Sequence, residues 1–501
     1  MTLLRVQNVM SNELAKRTFL SRPPEPPQEY LLNDPTNSIF IGVTKLFGVP
    51  FTWTYSTLTN PHLAVVGITG AGKSFFVKTF LVRASYIWNT NAIIIDWAGE
   101  YKAWVKQSGG KVIALSKGDY INIMDLSGMK PIDRAKQIMN SIDILTDIGQ
   151  YPEQRRLTAE AMEQAYVNAG FALADVPGPN TESPTLKDVT KLLEEKLQEG
   201  TYEYPAELEN AIYRIRQFTR EGEDYFAKKS TIDIGKLAQS GLVDLDLSSL
   251  PDERFRALAA MFILQTLKEK MRQEGWSSTR GIKTLVVLDE AWKVASDERS
   301  DAITIVREGR KYQFGLLVAS QNPTDINETI FSNVGTTVML RIRYEKFMNF
   351  LQGSLNFSGF IRREISKFGV GQAAFDMSFN SSIQFPEIFL LDRIVGEEPL
   401  DVYAINVAEM LAPNEQADQS IKKEYYFERI DLNAKLIESE ISADIILRIF
   451  KELDKKDRIV DIRDMAQIMI NQGIDKNTIV NFFRKIGILD SIISKVFNFI
   501  S

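Results

Sequence analysis

The sequence is poor in the residues that bind metals or form disulfides. It contains no cysteine and a single histidine, His62, which excludes disulfides, thiolate metal sites and histidine-based metal clusters. His62 precedes a short apolar run and is interpreted as a turn or edge residue. No apolar run approaches the length of a membrane span, and no basic-then-apolar leader opens the chain. Because the net charge is −6, any contact with DNA requires a local cluster of basic side chains.

What the sequence does contain is a phosphate-binding loop. Residues 67–74 read GITGAGKS and match the pattern GxxxxGK[ST]; the run before them predicts a buried strand, and residues 75–83 predict a helix. Such a loop turns backbone N–H groups toward phosphate oxygens. Lys73 is predicted to reach the β- and γ-phosphates, and the Ser74 hydroxyl to bind Mg²⁺. The residues predicted to contact ATP are Thr69, Gly70, Ala71, Gly72, Lys73, Ser74 and Phe75.

A second motif supplies the acidic groups that hydrolysis requires. The apolar run 284–288 predicts a buried parallel strand, and it ends in Asp289 and Glu290. The carboxyl ends of parallel strands are where an α/β sheet holds its ligand. Asp289 is predicted to belong to the Mg²⁺ shell, and Glu290 to accept a proton from the attacking water.

The segment after the acidic pair adds a neutral amide and two arginines. Gln321 follows the apolar run 315–319, so the sequence predicts that it lies beside Asp289 and senses the γ-phosphate and the water. Arg310 and, as second choice, Arg307 lie before that strand, on the flank of the sheet. There a guanidinium can reach the nucleotide of a neighbouring subunit. The alternative for both arginines is a solvated helix face.

Strand and helix patterns alternate along most of the chain, which predicts an α/β fold with a mostly parallel sheet. The expected segments are a proline-containing arm (1–37), the first part of the core (38–130), an all-helical insertion (131–229), the second part of the core (230–410), and a linker with a helical C-terminal extension (411–501). The polar linker itself is expected at 411–420.

The combined motifs resemble the HerA–FtsK superfamily of DNA-pumping ATPases, and within it the HerA-like and conjugative type IV secretion ATPases, such as those of the TraC/TrbE type. The matching segments are 67–74, 93–101, 287–292, 308–312 and 318–323, and the helical insertion is similar to that of the conjugation branch. The resemblance covers about residues 38–410 and implies a RecA-like core. It assigns Lys73, Ser74, Asp289, Glu290, Gln321 and Arg310 the roles given above. It also implies that Asp96 and Glu100 act near the metal or the water.

The chain departs from that family at both ends. Only about 37 residues precede the core, so a docking domain is expected to be missing or supplied by another chain. Residues 464–473 and 475–486 can form a helix-turn-helix that exposes Lys476, Arg484 and Lys485, although their apolar faces favour a lid or rim-packing element.

The resemblance implies a ring-forming, six-subunit ATPase that passes DNA through its central pore, and it favours DNA transfer across a membrane. The expected partners are channel or pilus proteins at the inner face of the cell membrane, and the expected location is the cytoplasm. One alternative is a HerA-like repair translocase with a nuclease partner, and another is a pilus-assembly motor that moves protein subunits. The residues predicted to line the pore are Arg341, Arg343 and Lys346 or, preferably, Arg362, Arg363 and Lys367.

Overall fold

A computed structural model describes most of the chain up to residue 395 and shorter parts beyond it. The described residues are 26, 38–54, 60–116, 118–178, 182–220, 222, 224–277, 281–290, 292–296, 298–378, 388–395, 426–428, 436, 437, 439, 441–453, 459–485, 493 and 497. The chain forms two compact units, Met1–Glu397 and Glu398–Ser501. The expected arm, apart from Pro26, and the expected linker at 411–420 lie outside the described residues.

The described part of the first unit is built on one eleven-stranded sheet, in the order β2-β1-β11-β10-β9-β3-β8-β7-β4-β6-β5. The strands are β1 (Ile39–Thr44), β2 (Pro50–Trp53), β3 (Leu63–Val66), β4 (Asn91–Asp96), β5 (Lys111–Ala114), β6 (Leu242–Asp246), β7 (Thr284–Asp289), β8 (Phe314–Ser320), β9 (Thr336–Met339), β10 (Ala373–Met377) and β11 (Ile388–Asp392). In the part of the sheet with the order β9-β3-β8-β7-β4-β6-β5, neighbouring strands pair in parallel. In the part with the order β2-β1-β11-β10-β9, neighbouring strands pair antiparallel. The predicted mostly parallel α/β fold is therefore confirmed.

The strand register places the carboxyl ends of four central strands at one edge of the sheet. Asp96 of β4 lies opposite Asp289 of β7, and Val66 of β3 lies opposite Ser320 of β8. The four strands are buried on both faces because they are made almost entirely of apolar residues. This edge is where the predicted site residues converge.

Helices pack on the sheet or connect its strands. In the first unit they are α1 (Lys73–Trp88), α2 (Lys102–Gln107), α3 (Pro131–Thr146), α4 (Pro152–Asn168), α5 (Leu186–Gln198), α6 (Pro205–Arg216), α7 (Ile234–Leu237), α8 (Glu253–Gln273), α9 (Trp292–Ala295), α10 (Asp301–Glu308), α11 (Glu328–Asn333), α12 (Glu345–Leu355) and α13 (Gly359–Lys367). Helix α8 begins sharply because the Asp252 carboxylate accepts hydrogen bonds from the backbone N–H groups of Arg254 and Phe255.

The stretch predicted as an all-helical insertion contains helices α3 to α6. Thr185 and Asp188 match the sequence pattern of a capping box, and helix α5 starts there: the Thr185 backbone N–H donates to the Asp188 carboxylate at 2.7 Å. The buried residues Leu186, Val189 and Leu193 of this helix join the same core as the sheet strands. The insertion limits, 131 and 229, stay a prediction.

The structure differs from the sequence-based expectation at two places. The sequence pattern over 301–311 predicts one helix, but the helix ends at Glu308 and the chain continues as the 3₁₀ turn Gly309–Tyr312. The chain is tightly packed there, since a Cβ on Gly309 would lie 2.6 Å from the Phe314 carbonyl oxygen. Strands β5, β10 and β11 are also not predicted from the sequence pattern.

The second unit contains helices around a small core of its own. Its described elements are α14 (Ala443–Leu453), α15 (Ile462–Asn471) and α16 (Lys476–Lys485), with the antiparallel strands β12 (Tyr426–Glu428) and β13 (Ile459–Asp461). A four-residue turn containing Gly473 separates α15 from α16, and buried residues of both helices meet in one cluster. Across the described residues of the whole chain, no helix combines the length and apolar character needed to cross a membrane.

Candidate functional site

The phosphate-binding loop lies between β3 and α1, at the carboxyl edge of the sheet. Gly70 and Gly72 have φ angles of 73° and 101°, in the left-handed region that glycine adopts readily. Gly67 is needed for space, because a Cβ there would lie 2.8 Å from the Leu340 Cβ. The Ile68 N–H donates to the Arg341 carbonyl at 3.0 Å and anchors the loop to the segment after β9. The loop can therefore present backbone donors to phosphate, as predicted from its sequence.

Lys73 and Ser74 form the first turn of α1, directly after the loop. The Lys73 side chain is 8% exposed, and its Nζ lies 3.9 Å from the Glu290 Oε1. The Ser74 hydroxyl donates to the Glu100 Oε2 at 2.9 Å. The predicted lysine thus faces the predicted proton acceptor, and the predicted metal ligand faces a second carboxylate.

Gln321 joins the end of β8 to the acidic pair and to the phosphate-binding loop. Its Nε2 donates to the Glu290 Oε1 at 2.8 Å, and its Oε1 accepts from the Thr69 hydroxyl at 2.5 Å. Glu290 itself has a φ angle of 55°, which is uncommon for a residue with a side chain and typical of functional sites. Thr69, Gln321, Glu290 and Lys73 therefore form one continuous polar network, and a change at the γ-phosphate position can reach the carboxylate through it.

Asp289 is the buried member of the acidic pair. Burial, the largest cause, together with the negative charges of Glu290 and Glu100 raises the pKa of its carboxyl to about 7, against the opposing effects of the Tyr101 hydrogen bond and the Lys73 charge. The neighbouring oxygen donors Asp289, Glu100 and Ser74 match the preference of Mg²⁺ for oxygen ligands. Among the described residues, no three carboxylates or histidines form a ready-made metal cluster. The oxygens of bound nucleotide phosphates would complete the oxygen ligands that Mg²⁺ prefers.

Asp96 fixes the loop that follows β4 by accepting hydrogen bonds from its backbone. Its Oδ1 accepts from the backbone N–H groups of Ala98 and Gly99 at 3.2 and 2.8 Å, and its Oδ2 accepts from Tyr101 at 2.9 Å. These bonds hold the loop that carries Glu100 to Ser74. The structure places Glu100 beside Ser74 and gives Asp96 three backbone partners. The roles near the metal or the water that the resemblance implies for both acids stay predictions.

Arg307 and Arg310 do not join the other predicted site residues. Arg310 lies in the turn before β8, whereas Gln321 follows its far end, and the seven residues of β8 span roughly 23 Å at about 3.3 Å per residue. Both arginines are exposed, and neither forms an ion pair with any residue that the structure describes. Their guanidinium groups are therefore available at the edge opposite to the chain's own phosphate-binding loop.

Two contributors to the site were not in the predicted set of binding and catalytic residues. Glu100 contacts Ser74 because of the path of the loop 97–101, for which the sequence offered only the family resemblance. Tyr101 is fully buried, and burial together with the Asp289 charge raises its pKa well above the usual value. The available signal was an aromatic residue next to Glu100, five residues after the acidic end of β4.

Comparison with known proteins gives matches to one group of motor proteins. The family model described as the central domain of helicase HerA matches residues 41–267. The DNA double-strand break repair helicase HerA of Pyrococcus furiosus is 24% identical over 372 residues, which are 63% of this chain and 63% of that protein. The DNA import protein CedB of Sulfolobus acidocaldarius is 21% identical over 306 residues, 59% of this chain and 47% of that protein.

The fold is also similar to a solved structure, VirB4 of Thermoanaerobacter pseudethanolicus. The TM-score is 0.60 at 20% sequence identity, and the match covers 74% of this chain and 99% of that one. The two curated relatives are longer than the part they share with this chain, which matches less than two thirds of either.

Proposed function

We propose that the chain is a P-loop ATPase of the HerA–FtsK superfamily and the subunit of a ring-shaped motor that uses ATP hydrolysis to translocate DNA, as its similarity to HerA and VirB4 supports. In this proposal six copies form the ring, and each nucleotide lies between two of them. One subunit provides the phosphate-binding loop and the acidic pair, and its neighbour provides an arginine.

The residues of one subunit divide the chemistry among them. The loop N–H groups and Lys73 bind and orient the phosphates. Ser74 and Asp289 would hold Mg²⁺, which when bound would neutralise charge on the phosphate oxygens. Glu290 accepts the proton of the attacking water, because its carboxylate stands in the network beside Lys73. Gln321 binds both Thr69 and Glu290, so it can orient the water and respond to loss of the γ-phosphate.

The position of Arg310 is the observation that carries the shared-site proposal. It is exposed, lies at the sheet edge opposite to its own loop, and forms no ion pair within the described part of the chain. A guanidinium placed there can complete the site of the next subunit and stabilise charge that develops during phosphoryl transfer. The alternative of a merely solvated arginine predicts no effect of its removal.

Mixing two inactive variants tests the shared site. Arg310→Ala should leave ATP affinity nearly unchanged and reduce hydrolysis on the order of a thousandfold. Mixed with Glu290→Gln protein, it should regain activity, because some interfaces then combine an intact Glu290 with an intact Arg310. Arg307→Ala, measured in parallel, decides between the two candidate arginines, and Arg220→Ala, an exposed arginine of the predicted insertion, is the control.

Absence of rescue in the mixture would contradict the shared site. If subunits exchange, as followed with labelled protein, and the mixture never exceeds the sum of its components, then each subunit hydrolyses ATP with its own residues. Full activity of Arg310→Ala would remove that residue from the site altogether.

For the role of the motor we propose DNA transfer across a membrane, through channel or pilus proteins that dock the ring at the inner face of the membrane. Similarity to a protein named for DNA import and to VirB4 supports this role. Similarity to double-strand break repair helicases supports a second candidate, a repair translocase that works with a nuclease. Affinity purification from native membranes and from cytosol should recover a channel protein in the first case and a nuclease in the second.

A protein-moving pilus motor is the remaining alternative, and it differs in its response to DNA. The proposed motor should hydrolyse ATP faster when DNA is added at low salt. An intact ring that no form of DNA stimulates would favour the protein-moving motor.

A further inference from the structure

The turn that carries Arg310 is held on both sides by residues at the end of helix α8 and just after it. On one side, the Arg272 guanidinium donates to both carboxylate oxygens of Glu308, at distances of 3.1 and 3.2 Å. On the other side, the Trp276 indole N–H donates to the Tyr312 hydroxyl at 3.1 Å. Residues 272 and 276 are four apart, as are 308 and 312. Arg310 lies midway between the two held positions.

The chain reverses at the end of α8 to bring Trp276 onto the turn. Helix α8 ends at Gln273, and Gly275 has a φ angle of 78°, the left-handed conformation that commonly terminates a helix. The backbone N–H of Ser277 then donates to the Lys311 carbonyl at 2.9 Å. The Lys311 ammonium lies 5.4 Å from the centre of the Trp276 ring, within cation–π range. The indole thus makes contacts with both residues that follow Arg310.

Burial does not explain the presence of this tryptophan, because its side chain is 77% exposed. Most tryptophans contribute to stability through the large apolar area that they bury. Trp276 instead has directed contacts to Lys311 and to the hydroxyl of Tyr312, whose ring packs against the core. These contacts restrict the turn without adding to the core, which is the pattern expected for a group that orients a neighbour.

We infer that Trp276 and Arg272 are positioning residues that preorganise Arg310 for the nucleotide of the neighbouring subunit. The inference rests on the proposed function, in which Arg310 acts between subunits. A guanidinium on a restrained turn is already near its working position when the subunits meet, whereas on a loose turn it reaches that position for only part of the time. Both residues are expected to act through Arg310 and not to touch the nucleotide themselves.

Substitution of Trp276 tests the inference. Trp276→Ala should reduce kcat about tenfold and leave the KM for ATP nearly unchanged, because the loop and acidic pair of the same subunit are intact. Trp276→Phe keeps a ring for Lys311 but loses the hydrogen bond, and should fall between wild type and alanine. Tyr312→Phe keeps the buried ring, removes the acceptor hydroxyl alone and should resemble Trp276→Phe. Tyr213→Ala, which removes a 70% exposed aromatic from helix α6, is the matched control.

A double substitution separates positioning from a general loss of structure. On an Arg310→Ala background, Trp276→Ala should cause no further loss of single-turnover hydrolysis, because the group that it positions is already absent. A further tenfold loss on that background would overturn the inference, as would unchanged kcat in the Trp276→Ala protein.

The failure of this inference is distinguishable from failure of the shared site. If Arg310→Ala is inactive while Trp276→Ala has full activity, the shared site stands and the positioning role falls. If Arg310→Ala itself is fully active, both fall together.

Discussion

At the scale of single residues, the candidate site depends on a network in which Glu290 contacts both Gln321 and Lys73. The left-handed backbone of Glu290 points its carboxylate toward both Gln321 and Lys73. Such a conformation costs on the order of 1–3 kcal/mol and is retained where the surroundings enforce it. The proposed proton acceptor is therefore held in place before ATP binds.

Substitution of Glu290 and of Lys73, the two charged residues of the network, should separate ATP binding from ATP hydrolysis. Glu290→Gln should bind ATP about as well as the wild type but lose steady-state hydrolysis, because the amide cannot accept the proton. Lys73→Ala should lose both ATP binding and hydrolysis, because the phosphates no longer contact the Lys73 ammonium. Equilibrium binding of a fluorescent ATP analogue and phosphate release distinguish the cases. Substantial turnover by Glu290→Gln would exclude this residue as the base.

Thr69 is expected to act on hydrolysis through Gln321. Its hydroxyl donates to the Gln321 Oε1, which fixes the amide so that the Nε2 faces Glu290. Thr69→Val removes the hydroxyl and keeps the shape; losing one hydrogen bond of about 1 kcal/mol should slow hydrolysis roughly fivefold. Thr69→Ser retains the hydroxyl and should behave like the wild type. Equal rates for the valine and serine variants would argue against the orienting role.

The sequence predicts the site residues because Asp289 and Gln321 lie at the ends of apolar strands and Lys73 and Ser74 complete the phosphate-binding loop. Parallel strands present their carboxyl ends at one edge, so these residues are expected to lie together. The contact of Glu100 with Ser74 could not be derived in that way. It depends on three hydrogen bonds from loop backbone to Asp96, and such a loop path has no period in the sequence.

At the scale of secondary-structure elements, His62 joins two central strands. It precedes β3 as expected, but it is buried and not an edge residue: its Nδ1 accepts from the Leu316 N–H of β8 at 3.0 Å. Burial lowers the pKa of this imidazole to about 3, from 6.5. The folded protein thus keeps His62 neutral at pH values where the unfolded chain protonates it.

Stability should consequently fall in acid. Between pH 6.5 and about 3 the unfolded state binds one more proton at His62 than the folded state, so this residue makes the free energy of unfolding decrease as pH falls, by up to about 1.4 kcal/mol per pH unit. His62→Asn retains an acceptor without titrating and should flatten the dependence between pH 6.5 and 5. Urea unfolding of both proteins at pH 8, 6.5 and 5 measures the slopes. Parallel slopes would mean that groups other than His62 set the pH dependence of stability. None of these groups can be a second histidine, because the chain has only one.

Elements with strong local patterns were predicted well, and those defined by distant partners were not. The apolar runs of β3, β4, β7 and β8 and the capped start of α8 are local features. Strands β10 and β11 carry equally apolar residues, but their antiparallel pairing depends on partners far along the chain. The 3₁₀ turn after α10 was predicted as helix because its helical pattern continues, whereas the close approach of Gly309 to the Phe314 carbonyl is a tertiary effect.

At the scale of the whole molecule, the net charge of −6 restricts where DNA can bind. Of the predicted pore residues, Arg362 is already bonded to Asn349 and Gln352, at 2.7 and 2.8 Å. Arg363 and Lys367 are exposed one helical turn apart on α13. These two are the better candidates for contact with phosphate groups, and Arg362 the better candidate for holding α12 against α13.

DNA binding should therefore depend on Arg363 and Lys367 and weaken with salt. The double alanine variant should lower DNA-stimulated hydrolysis at every salt concentration, and the slope of log affinity against log salt should decrease by about two, one for each lost phosphate contact. The pair Lys136→Ala and Lys191→Ala, on helices α3 and α5, is the control for removed positive charge. An unchanged salt slope in the α13 variant would assign DNA contact to another surface, with Arg341, Arg343 and Lys346 tested next.

The antiparallel pairing of β1 with β11 has a consequence for how the protein is made. Val43 and Thr44 of β1 pair with Asp392 and Leu391 of β11. Strand β1 is synthesised early, but its partner β11 is synthesised only when the first compact unit is almost complete. At roughly 5–20 residues per second, that edge of β1 waits for tens of seconds on the ribosome. An unpaired strand edge can template pairing with another chain. Aggregation during expression should thus be limited by the arrival of β11, and slower translation should prolong the exposure.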